Sequence, residues 1–274
     1  MASPVLSVYL CNYNHGKYLR QCISGILRQS FKDFEIVLTD DGSTDESQAI
    51  INEFAAADSR IKPVLFPKNQ GLMAATKNAW ERIQGTFVFG QGADDFIIDA
   101  DFFARAVGAF TAHPRAAGFF GIAGIYSAER QIALRAMGSA PAPGYIEPVD
   151  FYRGFLTGKI FVPGSSSIWR YESMKAFGGF DFSLGPQIDF LLNHALPSKD
   201  GIVFANVPVA CQRVYEDAQN FGSKGTIWEA AHRLERVEQA LRKVAPPYPG
   251  MEDDWRRWRA EWMRDAILKS GVHI

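Results

Sequence analysis

The sequence predicts an α/β protein with a doubly wound, mostly parallel sheet and helices on both faces. Three observations carry the prediction. Residues 5–91 alternate strand-like and helix-like segments without a break. The segment 17–29 sets Leu19, Cys22, Ile23, Ile26 and Leu27 on one helical face. The polar clusters follow the strand-like segments, at what becomes one edge of such a sheet.

The elements follow in order. "VLSVYLCNY" (5–13) reads as a buried strand and 17–29 as the first helix. "FEIVLTD" (34–40) is the second strand. The segment 44–57 opens with Thr44 and two acids, which suits a helix start. Strand 60–66, helix 71–84 and strand 86–91 complete a series that implies right-handed crossovers. Beyond it, 101–112 and 185–196 read as helices, 116–128, 165–171 and 201–214 as extended, and 171–179 as a short helix stopped by glycine. "GSAPAPG" (138–144) reads as an excursion. Residues 226–244 form an amphipathic helix.

The final helical segment, 251–270, carries Trp255, Trp258 and Trp262 at one-face spacing with Ile267 beyond. That stripe packs onto the domain, or else makes a homodimer contact or a peripheral membrane contact.

Composition narrows the class. Of 274 residues, 29 are Lys or Arg and 30 are Asp or Glu, so there is no basic excess of the kind nucleic-acid binding requires. Cys11, Cys22 and Cys211 have neither metal nor disulfide spacing, which points to a reducing compartment. No signal-like N-terminus or membrane-length apolar run is evident, so a cytoplasmic protein is expected, with a membrane surface as its one alternative setting.

Four loops gather the chemistry: "CNYNHG", "TDDGSTD", "PKNQG" and "GQGADD". Neither GxGxxG nor GxxxxGK[ST] is present, which disfavours a Rossmann dinucleotide site and a P-loop. Asn12, Tyr13 and Asn14 suit a base and ribose better than a pyrophosphate. Asp94 and Asp95 are adjacent anions beside the apolar Phe96-Ile97-Ile98, and they call for a positive partner.

"SVYLCNYNHGKYLRQCISGILRQSFKDFEIVLTDDGSTDES" resembles the opening of inverting glycosyltransferases of the GT-A fold, in the large family 2 that includes polysaccharide and lipopolysaccharide enzymes. "NQGLMAATKNAW" resembles that family's next signature, "GADD" its DxD-type metal motif, and "FGGFDFSLGPQIDF" its acceptor-side region ending in the catalytic acid. The resemblance covers roughly residues 5–215.

It implies a nucleotide-binding half (1–98), an acceptor-binding half (99–225) and a C-terminal helical extension (226–274). Asp94 and Asp95 would face Mn²⁺ or Mg²⁺ bridging the diphosphate of a nucleotide sugar, with uracil the expected base. Cys11, Asn12, Tyr13, Asn14, Asp40, Asp41, Asn69, Lys77, Asn78 and Asp94 would surround the nucleotide. Ser165, Ser166, Ser167 and Trp169 would meet a glycan or lipid-linked acceptor, Arg213 would approach the diphosphate, and Asp189 would be the general base. The reaction would transfer a hexosyl or N-acetylhexosaminyl group.

Two positions depart from the family pattern. Gly92 stands where the first acid of Asp-x-Asp is usual, and Ile188 where a Glu precedes the catalytic acid. They keep open a second reading, a catalytically silent nucleotide-sugar-binding module. A sugar nucleotidyltransferase is disfavoured, because "CNYNHG" replaces its Gly-rich loop.

Overall fold

In the computed structural model, residues 3–127, 132–136, 141–179, 188–214 and 227–270 are described, excepting the side chains of 132–136, 227–233 and 265–270. The predicted alternation is present as β1 (Leu6–Asn12), α1 (Gly16–Leu27), β2 (Phe34–Asp40), α2 (Ser47–Ala57), β3 (Ile61–Leu65), α3 (Leu72–Trp80) and β4 (Phe87–Gly92). These strands lie parallel in the order β3-β2-β1-β4. Their four following loops therefore share one edge.

The second half extends the same sheet. It contributes β5 (Phe96–Ile97), α4 (Phe102–Ala112), β6 (Gly118–Ser127), β7 (Ile132–Ala136), β8 (Gly144–Ile146), α5 (Pro148–Leu156), β9 (Ser167–Arg170), α6 (Tyr171–Ala176), α7 (Ile188–Asp200) and β10 (Ile202–Val214). β9 inserts antiparallel between β4 and β6, and β10 lies parallel to β6. β5 pairs antiparallel with β10, setting Cys211 opposite Phe96. That pairing draws the chain after the acidic turn of β4 back onto the sheet.

Alternation along the strands serves two cores. Phe87 and Phe89 join Leu10, Ile23, Ile51 and Phe103 on one face, while Val88 joins Trp169, Tyr152 and Leu192 on the other. α1, α2 and α4 cover the first face, and α5 and α7 cover the second.

Of the boundaries that differ from the sequence reading, among them the end of α3 at Trp80 against the expected 84, two have a visible cause. α2 begins at Ser47, because the Asp45 carboxylate accepts the backbone N–H groups of Ser47 (3.0 Å) and Gly16 (2.9 Å) and holds the preceding turn open. Neither Ser43 nor Thr44 caps that helix. α7 runs through Pro197 to Asp200 instead of ending at 196. Pro197 forfeits one helical N–H. The Ser198 hydroxyl donates to the His194 carbonyl (2.6 Å), and the buried Leu191, Leu192, Ala195 and Leu196 hold the helix against the core. Parts of the expected segments 116–128, 138–144, 185–196 and 226–244 fall outside the described residues, namely 128, 138–140, 185–187 and 226.

α8 (Ile227–Val244) and α9 (Met251–Ser270) close the second face. Trp255 and Trp258 are buried there and Trp262 is partly buried against the same core. The Trp255 indole N–H donates to the Tyr152 hydroxyl (2.7 Å), and Arg242 stacks over the indole at 4.9 Å. These rings are thus spent on packing; the side chain of Ile267 lies outside the described residues. Among the described residues, no helix is long and apolar enough to cross a membrane.

Trp255→Ala should destabilise the protein by about 3–5 kcal/mol through the cavity it leaves. Trp255→Phe should lose less, since it keeps an aromatic ring but strands the Tyr152 hydroxyl. Denaturant unfolding measures both. A loss under about 1 kcal/mol for the alanine variant would show that α9 is not part of the core.

Candidate functional site

The loop edge is built on buried carboxylates. Asp40, fully buried, accepts from the Asn12 amide (2.7 Å), the Ser43 hydroxyl (2.6 Å) and backbone N–H (2.9 Å), and the Gln48 amide (3.0 Å). Asp41 accepts the backbone N–H groups of Gln70 (2.7 Å) and Gly71 (2.9 Å), at the entry to α3. Asn14 has φ +55°, a conformation asparagine tolerates, and its side-chain oxygen accepts the Thr44 N–H (2.8 Å). Gly42, at φ +71°, lies so close to the Lys68–Asn69 backbone that no side chain fits. The first three loops are thereby tied to one another.

Beside them opens a cleft of about 470 Å³. Its floor is Tyr9, Cys11 and Gly90 to Gly92. Leu72 and Thr76 of α3 form one wall, and Phe161 to Ser165 with the start of α7 form the other. Of the residues singled out in the sequence, Cys11, Asp95, Ser165, Ser167, Trp169 and Asp189 line this cleft.

The others lie elsewhere. Asn12, Asp40 and Asp41 are buried within the loop scaffold, while Tyr13, Asn14 and Asn69 are exposed on it. Lys77 is exposed and pairs with Glu81 at 4.0 Å on the surface of α3; Asn78 is half-buried beside it. Ser166 is fully buried and donates to the Gly121 carbonyl (3.0 Å), beneath the cleft. Ser167 accepts from the Trp169 indole N–H (3.1 Å), so both support the wall they line.

Asp95 stands at one end of the cleft. Its Oδ1 accepts the Arg213 backbone N–H at 2.8 Å. Burial, and then the neighbouring Asp94, push its carboxyl up to about 7. Both carboxylates turn toward Gly92: a Cβ there would stand 3.1 Å from Asp94 Oδ1 and 3.2 Å from Asp95 Oδ2. The space over Gly92 is therefore a cradle of hard oxygen donors, suited to a divalent cation that keeps waters or phosphate oxygens.

Asp189 occupies the other wall, in the first turn of α7 as the sequence predicts. Its side chain is exposed at the cleft, and desolvation by the protein packed around it raises its carboxyl above the usual range. The Phe190 N–H donates to its Oδ1 at 2.7 Å. Burial raises the Tyr9 hydroxyl most, and the charges of Cys11 and Asp189 raise it further.

Sequence reasoning missed Tyr9, Gln91, Asn193 and Gln212, all on the lining. Two carried a signal. Tyr9 is two residues before Cys11 on the same strand face, and Asn193 is four after Asp189 on the same helix face. Among the described residues, Ser165 Oγ and Gln91 Oε1 are buried without a hydrogen-bond partner. A hydroxyl-rich ligand would satisfy such atoms.

The raised Asp95 carboxyl gives a stability test without divalent cations. Its contribution is fully present below the ordinary carboxylate pKa and is lost as pH rises through about 7. Asp95→Asn, neutral throughout, should therefore gain in Tm over the wild type between pH 5 and pH 8. The gain should be about 2–4 °C per kcal/mol recovered. A Tm difference that is flat across this range would contradict the assigned environment.

Residues 7–172 match the profile of the family described as Glycosyl transferase family 2. An uncharacterized glycosyltransferase of Haemophilus influenzae is 41% identical over 97 residues, covering 35% of this chain and 39% of that protein. Chondroitin synthase of Escherichia coli is 33% identical over 94 residues, covering 34% of this chain and 14% of that protein. Such matches span well under half the length of these relatives. Among solved structures, S. aureus TarS 1–349 in complex with UDP-GlcNAc superposes with a TM-score of 0.74 at 15% identity, covering 98% of this chain and 76% of that one. The mannosyltransferase PcManGT from Pyrobaculum calidifontis, in complex with GDP-Man and Mn²⁺, gives 0.63 at 16% identity, covering 100% and 77%. These structures show the GT-A fold, and the profile spans more than half of the sequence: the chain belongs to glycosyl transferase family 2.

Proposed function

We propose that the protein is a metal-dependent, inverting glycosyltransferase. It moves a hexosyl or N-acetylhexosaminyl group from a UDP-sugar to a hydroxyl of a glycan or lipid-linked saccharide. One observation carries the reading. Asp95 and Asp189 share a cleft whose described lining includes no Lys, Arg or His. An anionic nucleoside diphosphate enters such a cleft only with a cation beside it. The donor class is supported by the structural neighbours described with UDP-GlcNAc, UDP and GDP-Man.

Asp94 and Asp95 would hold Mn²⁺ or Mg²⁺, which offsets negative charge on the departing nucleoside diphosphate. Residues 1–98 carry the nucleotide side. Asn12, Tyr13, Asn14 and Asp41 lie beneath or beside the base and ribose, and Asp41 retains acceptor capacity beyond its two amide bonds. Residues 99–225 carry the acceptor side, with 226–274 as the helical extension. Ser165 orients a sugar hydroxyl. Asp189 takes the proton from the attacking hydroxyl as the new glycosidic bond forms on the face opposite the leaving group. Its raised carboxyl makes it a stronger base once ionised. The three free cysteines suit a reducing, cytoplasmic setting.

Ile188 favours one rival reading: it is buried in the core and supplies no second acid. A silent binding module would bind UDP-sugars with Mn²⁺ yet release no nucleoside diphosphate. A thermal-shift panel of nucleotide sugars with and without Mn²⁺, followed by an assay of nucleoside diphosphate release, separates the two.

Asp189→Asn should keep donor affinity and lose transfer by about 10²–10⁴-fold. Near-normal transfer would place the base elsewhere. In the wild type, transfer should fall as pH drops through the raised Asp189 pKa, and a rate without that acid limb would oppose the assignment.

Asp94→Asn should abolish the gain in UDP affinity that Mn²⁺ confers while leaving the fold intact. Calorimetry with and without Mn²⁺ reads this directly. An unchanged gain would remove Asp94 from the metal site.

A further inference from the structure

Arg213, near the end of β10, is only 7% exposed. Its Nε donates to the Asp94 main-chain carbonyl (2.9 Å) and its Nη2 to Gln21 Oε1 on α1 (2.8 Å). Its own backbone N–H donates to Asp95 Oδ1 (2.8 Å). The guanidinium carbon stands 4.3 Å from the ring centre of Tyr18, 5.0 Å from Tyr126 and 5.4 Å from Phe96. A guanidinium withdrawn from water is costly unless its donors are met and its charge is stabilised. Acceptors from α1 and the β4–β5 turn meet Nε and Nη2, and aromatic faces from α1, β5 and β6 stabilise the charge.

The resemblance directed Arg213 toward the donor diphosphate. The geometry instead commits its Nε and Nη2 inside the protein. The side chain joins the turn that carries both acids to α1 and to the last strand. Without that bond, two adjacent carboxylates on a short turn would separate under their own repulsion.

We propose that Arg213 is a positioning residue: it clamps the turn Gly92–Asp95 to α1, holding the Asp94 and Asp95 carboxylates converged over Gly92 for a divalent cation. The cation part rests on the metal reading above; the clamp itself does not. Arg213 touches neither nucleotide nor sugar. Gln21, exposed on α1, is the outer anchor of the clamp.

The test uses Arg213→Met, Arg213→Lys and Gln21→Met in the full chain, with two readouts. Amide hydrogen exchange is followed without metal across residues 92–97. UDP affinity is measured by calorimetry with and without Mn²⁺. Arg213→Met should speed exchange at 92–97 while β1 and β2 keep wild-type protection. It should cut the Mn²⁺-dependent gain in UDP affinity by about 10–100-fold, the scale for removing a group that orients metal ligands. Metal-free UDP affinity should stay unchanged. Arg213→Lys keeps the charge but not the fork, and should restore only part of the gain. Gln21→Met should show both effects more weakly, and it carries the test if Arg213→Met does not fold.

Wild-type exchange at 92–97 in folded Arg213→Met, or in Gln21→Met where that variant carries the test, would overturn the clamp. An equal loss of UDP affinity with and without Mn²⁺ would also overturn it, since Arg213 would then contact the nucleotide. Faster exchange with an undiminished Mn²⁺ gain would overturn the role toward the cation. If Asp94→Asn leaves the Mn²⁺ gain intact, the metal reading fails, and the exchange readout alone still decides the clamp.

Discussion

The Asp40 carboxylate is fully out of water and is made tolerable by hydrogen bonds from Asn12, Ser43 and Gln48. A buried charge of this kind requires that all its donors arrive together. They come from the end of β1, the loop after β2 and the helix that follows. Asp41 extends the same logic to the entry of α3. Adjacent aspartates in "TDDGSTD" thereby join three loops, and the flat edge of a parallel sheet becomes a shaped surface with the cleft beside it.

The described lining of the cleft carries negative charge. Asp95 is raised by burial and by Asp94, and Asp189 by burial, in opposite parts of one cavity. Stability alone would favour neutral side chains at both places. Arg213 supplies a positive charge beside Asp95, held among aromatic rings. On the far face α8 and α9 complete the core beneath α5 and α7, so the tryptophans stiffen the wall that carries Asp189.

Much of the fold was legible because its signals are local. Residues 5–91 show strand and helix periods directly, and glycine and acidic punctuation marks the loops. Asp189 in a first helical turn could be read the same way. The site was less legible, because distant partners decide each residue's part. Whether Asp40 faces a ligand or three loops depends on Asn12 and Gln48. Ser166 looks like its neighbours, yet Gly121 accepts its hydroxyl proton beneath the cleft. Lys77 looks like a phosphate ligand in sequence and stands on the surface beside Glu81. The tryptophan stripe could not reveal that Tyr152, over a hundred residues earlier, was its partner. Local patterns set periods and caps, while tertiary contacts choose which polar groups stay available.

The central claim is that one cleft holds the donor diphosphate and its cation at Asp94 and Asp95, facing a base at Asp189. Anomalous diffraction from crystals grown with UDP and Mn²⁺ tests it most directly. The account predicts an anomalous peak within about 2.0–2.6 Å of carboxylate oxygens of Asp94 or Asp95. The diphosphate should touch that ion, with Asp189 across open space from the β-phosphate. A nucleotide bound outside this cleft, or Mn²⁺ coordinated by neither aspartate, would contradict it.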